Sequence, residues 1–256
     1  MSLNSNTILS FLSNKNHNIT VYDTIESTNK TAKEIAKHGA VHGSVIIANT
    51  QTGGKGRHGR EFFSPPDSGI YMSLILDKAK TVLRPVTMIT AFAAVAVCRA
   101  IESLCDAKPQ IKWVNDIYIH DKKVGGILTE SVTDIKTGAK LIVGIGINMN
   151  APAKGFPPKL KDIAGYVFYH SESSRNRLAA EIINQMFTDG SIPHKPALLS
   201  EYKARLMMLG KKITVIDGDT AYEAVAMDID SDGQLIVKNL KGSLITLSHG
   251  EISTAI

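Results

Sequence analysis

Between Gln51 and Pro66 the chain reads QTGGKGRHGREFFSPP, with glycines at 53, 54, 56 and 59 set among Lys55, Arg57, His58 and Arg60. Glycine lets backbone amides approach an anion closely. Arginine forks pair with phosphate or carboxylate, and lysine supplies a compact charge. Four cationic or titratable side chains this close together repel one another, so the sequence predicts a loop that is mobile until it orders over an anionic ligand. Gly54, Gly56 and Gly59 also satisfy the G-x-G-x-x-G spacing of dinucleotide sites. Such a site needs a helix whose N-terminus holds the pyrophosphate, and Pro65, Pro66 and Gly69 exclude one here. A P-loop is excluded as well, because Gly56 rather than Ser or Thr follows Lys55.

Three other stretches carry polar groups in patterned positions. ESTN, Glu26 to Asn29, sits at a strand-to-helix junction, where its simplest role is an N-cap in which Ser27 or Thr28 satisfies orphan amides. IKWVNDIYIHDKKVGGILTE, from Ile111, places Lys112, Asn115, Asp116 and Lys123 around a hairpin with Gly125 and Gly126 on the return. GIGINMN, from Gly144, sets Gly144, Gly146 and Asn148 in a strand. Taken singly, these read as close backbone packing at the glycines and a turn or bulge at Asn115-Asp116.

The elements that must position these residues follow from periodicity. A short helix is predicted in the first eighteen or so residues, then a strand at NITVYD, a helix from Thr28 to about His38 and a strand from Ser44. After the basic loop comes an apolar strand, Gly69 to Asp77, and a long apolar helix that Pro85 opens at its first position and that ends near Leu104. Strands QIKWV, DIYIH, KVGGILTES and KLIVGIGINM follow, then helices near 174–188 and 196–208. Beyond Leu209 the chain turns to short strands with tight turns at DGD, SDG and KGS, which predicts a small β-barrel. The expected fold class is α+β: a domain over 1–208 with a central mixed sheet flanked by helices, then a barrel over 209–256.

Composition narrows the function classes. The chain has 256 residues, 43% hydrophobic and 21% charged, which suits a globular protein with a sizeable core. Net charge of +5 gives only a weak pointer toward an anionic partner. Cys98 and Cys105 read as small buried hydrophobes of a reducing compartment. AFAAVAVC, the best apolar run, ends at Arg99, far short of the ~20 residues a membrane span needs. The N-terminus lacks the basic and apolar regions of a signal peptide, so a cytoplasmic protein is expected.

Together and in this order, ESTN, QTGGKGRHGREFFSP, KWVNDIYIHDKKVGGIL and GIGINMN resemble the catalytic domain of biotin–protein ligases. The likeness covers roughly residues 18 to 208, and the terminal strands resemble that family's C-terminal SH3-like barrel. The basic loop is similar to G-R-G-R-x-G-R, with Lys55 in place of an arginine. The hairpin is similar to K-W-P-N-D, with Val114 in place of proline. Some family members carry an N-terminal winged-helix DNA-binding domain. About eighteen residues precede the first strand here, too few for that module, so no operator binding is expected.

The resemblance implies a two-step reaction. Biotin and ATP, with Mg²⁺, give biotinyl-5′-AMP and pyrophosphate. A lysine of a biotin carboxyl carrier protein, part of a biotin-dependent carboxylase, then takes the biotinyl group. By resemblance, Ser27, Thr28, Asn29 and Gln51 meet the ureido head of biotin. Lys55, Gly56, Arg57, Lys123 and Gly126 complete the biotin site near its carboxylate. The ATP or adenylate site takes Arg57, Arg60, Phe62 as an adenine platform, Lys112, Asn115, Asp116, Lys123 and Asn148. Lys123, Arg57 and Asp116 are the implied catalytic residues, with Mg²⁺ carried by the phosphates and Asp116 a candidate ligand. A homodimer is compatible with the resemblance.

Two rivals stand beside this reading. A lipoate–protein ligase shares the fold and the adenylate chemistry, whereas a related octanoyltransferase would want a nucleophilic cysteine among the motifs, where neither Cys98 nor Cys105 lies. A nucleic-acid-binding module would use the basic loop and the barrel, but with 6% aromatics and none interleaved with the loop cations it lacks a stacking platform.

Overall fold

A computed structural model describes residues 2–81, 83–134, 138–167, 174–187, 195–218, 220–248 and 250–254. Helix α1 (Ser5–Ser10) starts at Asn4, whose side chain accepts from the Thr7 amide. β1 (Ile19–Ile25), α2 (Thr28–Lys37) and β2 (Ser44–Gln51) form a parallel crossover, followed by β3 (Gly69–Asp77) and α3 (Val86–Glu102). Next come β4 (Gln110–Lys112), β5 (Asp116–Ile119), β6 (Lys122–Asp134) and β7 (Gly138–Asn148), then α4 (Ser174–Phe187) and α5 (Lys195–Arg205). Pro85 occupies the N-cap of α3 in an extended conformation, one position earlier than the sequence suggests.

The seven strands form one mixed sheet in the order β1-β2-β3-β7-β6-β5-β4, in which β1 and β2 are parallel and the other neighbours antiparallel. Successive strand residues face opposite sides, so the sheet has two distinct surfaces. On one, Val45, Ile47, Ile70, Met72, Leu74, Val143, Ile145 and Ile147 pack against α3. That helix is apolar nearly all round and is correspondingly buried. On the other, Ala32 and Ala36 of α2 meet Ile46, Ile75 and Ile142.

This second surface loses its bulk further along the strands. Directly paired residues share a face. One row runs Tyr71, Gly146, Gly126, Asp116 and the next runs Ser73, Gly144, Leu128. Three glycines and a serine therefore stand where a packed sheet carries large side chains, and a cleft opens above them.

The C-terminal strands are β8 (Lys212–Asp217), β9 (Thr220–Ile229), β10 (Leu235–Asn239), β11 (Leu244–Leu247) and β12 (Glu251–Thr254), paired antiparallel as β11-β10-β9-β8-β12. These five strands are the small β-domain expected from the turn-rich C-terminal sequence; among the described residues no pairing joins β11 to β12. Ile213, Val215, Ala224, Ala226, Leu235, Val237, Leu247 and Ile252 belong to the same continuous core as α3 and α5, so the sheet buries its apolar face against the larger domain. Trp113 ties the two parts together by donating its indole N–H to the Gly233 carbonyl at 3.0 Å.

Candidate active site

The cleft has a volume of about 290 Å³ and lies between the glycine rows, the start of α2, the basic loop and the edge of the C-terminal sheet. The structure brings to it every sequence-predicted site residue except Asn148. The Asn148 side-chain NH₂ instead donates to Gly165 O at 3.1 Å and the Asn148 backbone carbonyl accepts from the Val167 amide, which fixes the segment 165–167 beside the cleft.

One end is lined by neutral, largely hydrogen-bonded side chains. Ser27 is the N-cap residue of α2 but makes no side-chain cap bond. The cap comes from Gln51 at the end of β2, whose Oε1 accepts from the Thr28 amide at 2.8 Å and lies 3.1 Å from the Thr28 hydroxyl. The Ser27 hydroxyl is thereby released from the capping duty that sequence assigned to it, and it lines the cleft. Gln51 Nε2 donates to Ser64 Oγ, which donates onward to Phe62 O. Asn29 is only 5% exposed, and its amide donates to Glu130 Oε2 at 2.8 Å and Leu128 O at 3.3 Å. A Cβ at Gly144 would fall 2.2 Å from Asn29 Oδ1, so only glycine lets this amide lie on β7. Gly146 does the same for the Phe62 ring, which stands edge-on to Tyr71 with centroids 6.3 Å apart.

The other end is cationic. The basic loop is drawn into a small hairpin: Gly56 N donates to Arg60 O, Phe62 N to Gly54 O, and His58 turns the chain at φ 54°. Its two arginines are already partnered. Arg57 donates to Asn115 Oδ1 and to Gly250 O, both at 3.2 Å, and Arg60 pairs with Glu251 at 2.6 Å. Asn115 donates in turn to Ile127 O. Mutual repulsion is thus relieved by contacts from the β4–β5 turn and from β12, which the sequence could not connect to the loop.

Lys123 reaches the cleft through a bulge. Gly125 opposes Ile117, but Lys123 opposes Tyr118, leaving Val124 as the extra residue of β6. Without it Lys123 would face away from Gly126; with it both share the face of Asp116. Lys123 Nζ lies 2.7 Å from Asp116 Oδ2, and its backbone is clamped by Ile163 O and the Gly165 amide, each at 2.8 Å. Lys112 makes no ion pair among the described residues; its ammonium sits 5.9 Å from the Tyr118 ring centroid. Burial lowers the Lys112 pKa, nearby Asp116 partly offsets this, and Lys123 adds to the depression. Burial pushes the Tyr118 phenol up to about 12.

Sequence reasoning missed Ser73, Ser64 and Glu130 beneath the neutral end, and Glu61, Glu251 and Ile252 at the charged end. Glu251 follows a Gly within a turn-rich run and carries no local signal. Among the described residues no three His, Cys, Asp or Glu side chains gather as a metal cage. Cys98 lies in the core away from the cleft, and burial raises its thiol to about 12. No helix among the described residues is long and apolar enough to cross a membrane.

A neutral donor–acceptor pocket adjoining a cationic hairpin defines a class of site that holds an organic acid against a nucleotide. Residues 21–148 match the biotin/lipoate A/B protein ligase family, and 208–254 match the biotin protein ligase C-terminal domain. The bifunctional ligase/repressor BirA of Bacillus spizizenii is 36% identical over 231 residues, covering 86% of this chain and 69% of that protein. The biotin--[acetyl-CoA-carboxylase] ligase of Mycobacterium tuberculosis is 26% identical, covering 88% and 85%. A structure of biotin protein ligase from Aquifex aeolicus in complex with biotin and ATP superposes with a TM-score of 0.72 at 23% identity, over 93% of this chain and 98% of that one. The chain belongs to the biotin/lipoate A/B protein ligase family.

Proposed function

We propose that this protein is a biotin–protein ligase that activates biotin with ATP and transfers it to a lysine of a biotin carboxyl carrier protein. The observation that carries the reading is the union, in one cleft, of a neutral hydrogen-bonding end and a cationic end. A cyclic urea offers N–H donors and a carbonyl acceptor that suit the Ser27, Thr28 and Gln51 groups. A dithiolane offers neither, which disfavours lipoate. Arg57, Lys112 and Lys123 line the cleft instead of spreading over an open surface, which disfavours a nucleic-acid groove.

In the first step a biotin carboxylate oxygen attacks the α-phosphorus of ATP and the bond to pyrophosphate breaks. Two anions must meet, so fixed cations aimed at the developing charge supply the main stabilisation. Lys123, next to Gly126 on the cleft floor, bridges the carboxylate and the α-phosphate. Arg57, held at two points, and Lys55 and Gly56 close over them, while Arg60, Lys112 and Asn115 hold the nucleotide and Phe62 presents a ring to adenine. Mg²⁺ is bound by few protein oxygens and chiefly by substrate phosphates. Asp116 fits that role as a cleft carboxylate, and the ion would neutralise phosphate charge. In the second step the neutral amine of the acceptor lysine attacks the biotinyl carbonyl, AMP leaves, and Asp116 takes up the amine proton. Residues 1–208 carry this chemistry, and 209–256 brace the hairpin through Gly250 and Glu251. The expected setting is the cytoplasm.

Incubation with ATP, Mg²⁺, biotin and an apo carrier domain tests the proposal by intact mass. One biotinyl group added to wild-type carrier, and none to a variant with its acceptor lysine changed to arginine, is the expected result. An unmodified carrier contradicts it.

A further inference from the structure

Lys123 stands where the sheet exchanges one neighbouring strand for another. Gly125 and Ile147 form the last pair between β6 and β7 at this end. In that register Lys123 would face Met149, but β7 stops at Asn148, and the Met149 and Asn150 amides both turn to Ser68 O, at 2.9 and 2.8 Å. Residues 163–165 take that place beside β6, running parallel to it with Ala164 opposite Lys123. We propose that Gly165 is a positioning residue for Lys123: the segment it belongs to replaces β7 as the neighbour of this lysine and fixes how far its ammonium enters the cleft.

The backbone bonds carry the argument. A residue has a single N–H to give. That of Lys123 goes to Ile163 O at 2.8 Å, and its carbonyl accepts from the Gly165 amide at 2.8 Å. Tyr118 of β5 lies opposite Lys123 but receives no N–H from it. The bulge at Val124 turns Lys123 to the face of Asp116 and interrupts the regular ladder at the same point, so a second support is required there. The segment that supplies it is anchored on both sides. Leu160 O accepts the Ile163 and Ala164 amides, and Lys122 Nζ donates to Asp162 O. Further on, Asn148 Nδ2 donates to Gly165 O and the Val167 amide donates to Asn148 O. The ion pair with Asp116 cannot replace this support during the reaction, because phosphate and carboxylate oxygens of the ligand compete for the same ammonium.

Glycine at 165 permits the close approach. A Cβ there would fall 2.5 Å from Lys122 Cβ, an atom fixed to the backbone that no rotamer change can withdraw. Gly165→Ala must therefore push the segment away from β6 and lengthen both of its bonds to Lys123. The assignment rests on the ligase reading above, in which Lys123 bridges the carboxylate and the α-phosphate. It adds that the reach of this lysine is set by a segment distant in sequence that donates no side chain to the chemistry.

The test is single-turnover adenylate formation at saturating biotin and ATP, with biotin affinity followed by calorimetry. Misplacing a reacting group by about 1 Å costs up to ~10²-fold in rate, so Gly165→Ala should slow adenylate formation by about ten- to a hundredfold and leave the biotin Kd within about threefold. In a Lys123→Ala background the same substitution should change the remaining rate by less than about twofold, because the group it displaces is gone. A merely structural role would depress both backgrounds alike and weaken biotin binding as well. Asn148→Ala adds no bulk and loosens the segment from its other side. It should slow adenylate formation by about two- to tenfold, with the ATP KM within about twofold. A wild-type rate in Gly165→Ala, equal losses in the two backgrounds, or an Asn148→Ala protein whose only change is a raised ATP KM overturns the assignment and leaves the ligase reading intact. Wild-type protein that forms no adenylate from biotin overturns both.

Discussion

The two ends of the cleft are built on opposite principles. At the neutral end Thr28, Asn29, Gln51, Ser64 and Ser73 are joined by contacts of 2.6–3.1 Å, on α2, β2, β3 and the loop before β3, and over glycines that admit no larger residue. At the cationic end the partners are exchangeable. Arg60 is 69% exposed and pairs with Glu251, while Lys123 pairs with Asp116 at a half-buried position. A rigid array reads a hydrogen-bond pattern, because any mismatch strands a polar group without a partner. An array of loose ion pairs accepts a polyanion, because phosphate oxygens can replace the carboxylates with modest loss. Recognition and chemistry are thereby separated within one cavity.

The comparison can be broken most sharply at Lys123. Lys123→Ala should lower the rate of adenylate formation by ~10²–10³-fold in single-turnover assays, with biotin affinity changed far less; an equal loss in both would merge the two ends. Gly144→Ala acts on the other side. Its Cβ would lie 2.2 Å from Asn29 Oδ1, so the amide must move. Biotin binding followed by calorimetry should weaken by roughly ten- to a hundredfold with ATP affinity retained.

A pH profile sharpens the cationic end further. Burial depresses the Lys112 pKa, so its charge is complete at low pH and is lost as pH rises through a value below the ordinary lysine range. The alkaline limb of kcat/KM for ATP should therefore move upward in Lys112→Arg, whose guanidinium stays protonated. The smallest effect is expected at Glu251. Its ion pair with exposed Arg60 corresponds to ~0–1 kcal/mol, so Glu251→Ala should change the ATP KM by no more than about fivefold in initial-rate assays.

Much of this arrangement was legible in the chain. Alternation and apolar runs gave β3 as Gly69–Asp77 and β2 from Ser44, and the spacing of glycines and cations marked the hairpin. What escaped is long in range. Glu130 and Asn29 lie 101 residues apart, and Arg60 and Glu251 lie 191 apart, so no local pattern joins them. The bulge at Val124 was hidden because one inserted residue leaves the apolar pattern of β6 almost unchanged while reversing the direction of Lys123. The Ser27 cap failed for a similar reason: Gln51 supplies the acceptor from another strand.

The central claim, one cleft that reads a ureido head and activates its carboxylate, is tested most directly by ATP–pyrophosphate exchange with purified protein and Mg²⁺, comparing biotin, lipoate and octanoate. Exchange that depends on biotin alone is the predicted result. Exchange with lipoate but not biotin, or no exchange with any of the three from folded protein, would contradict it.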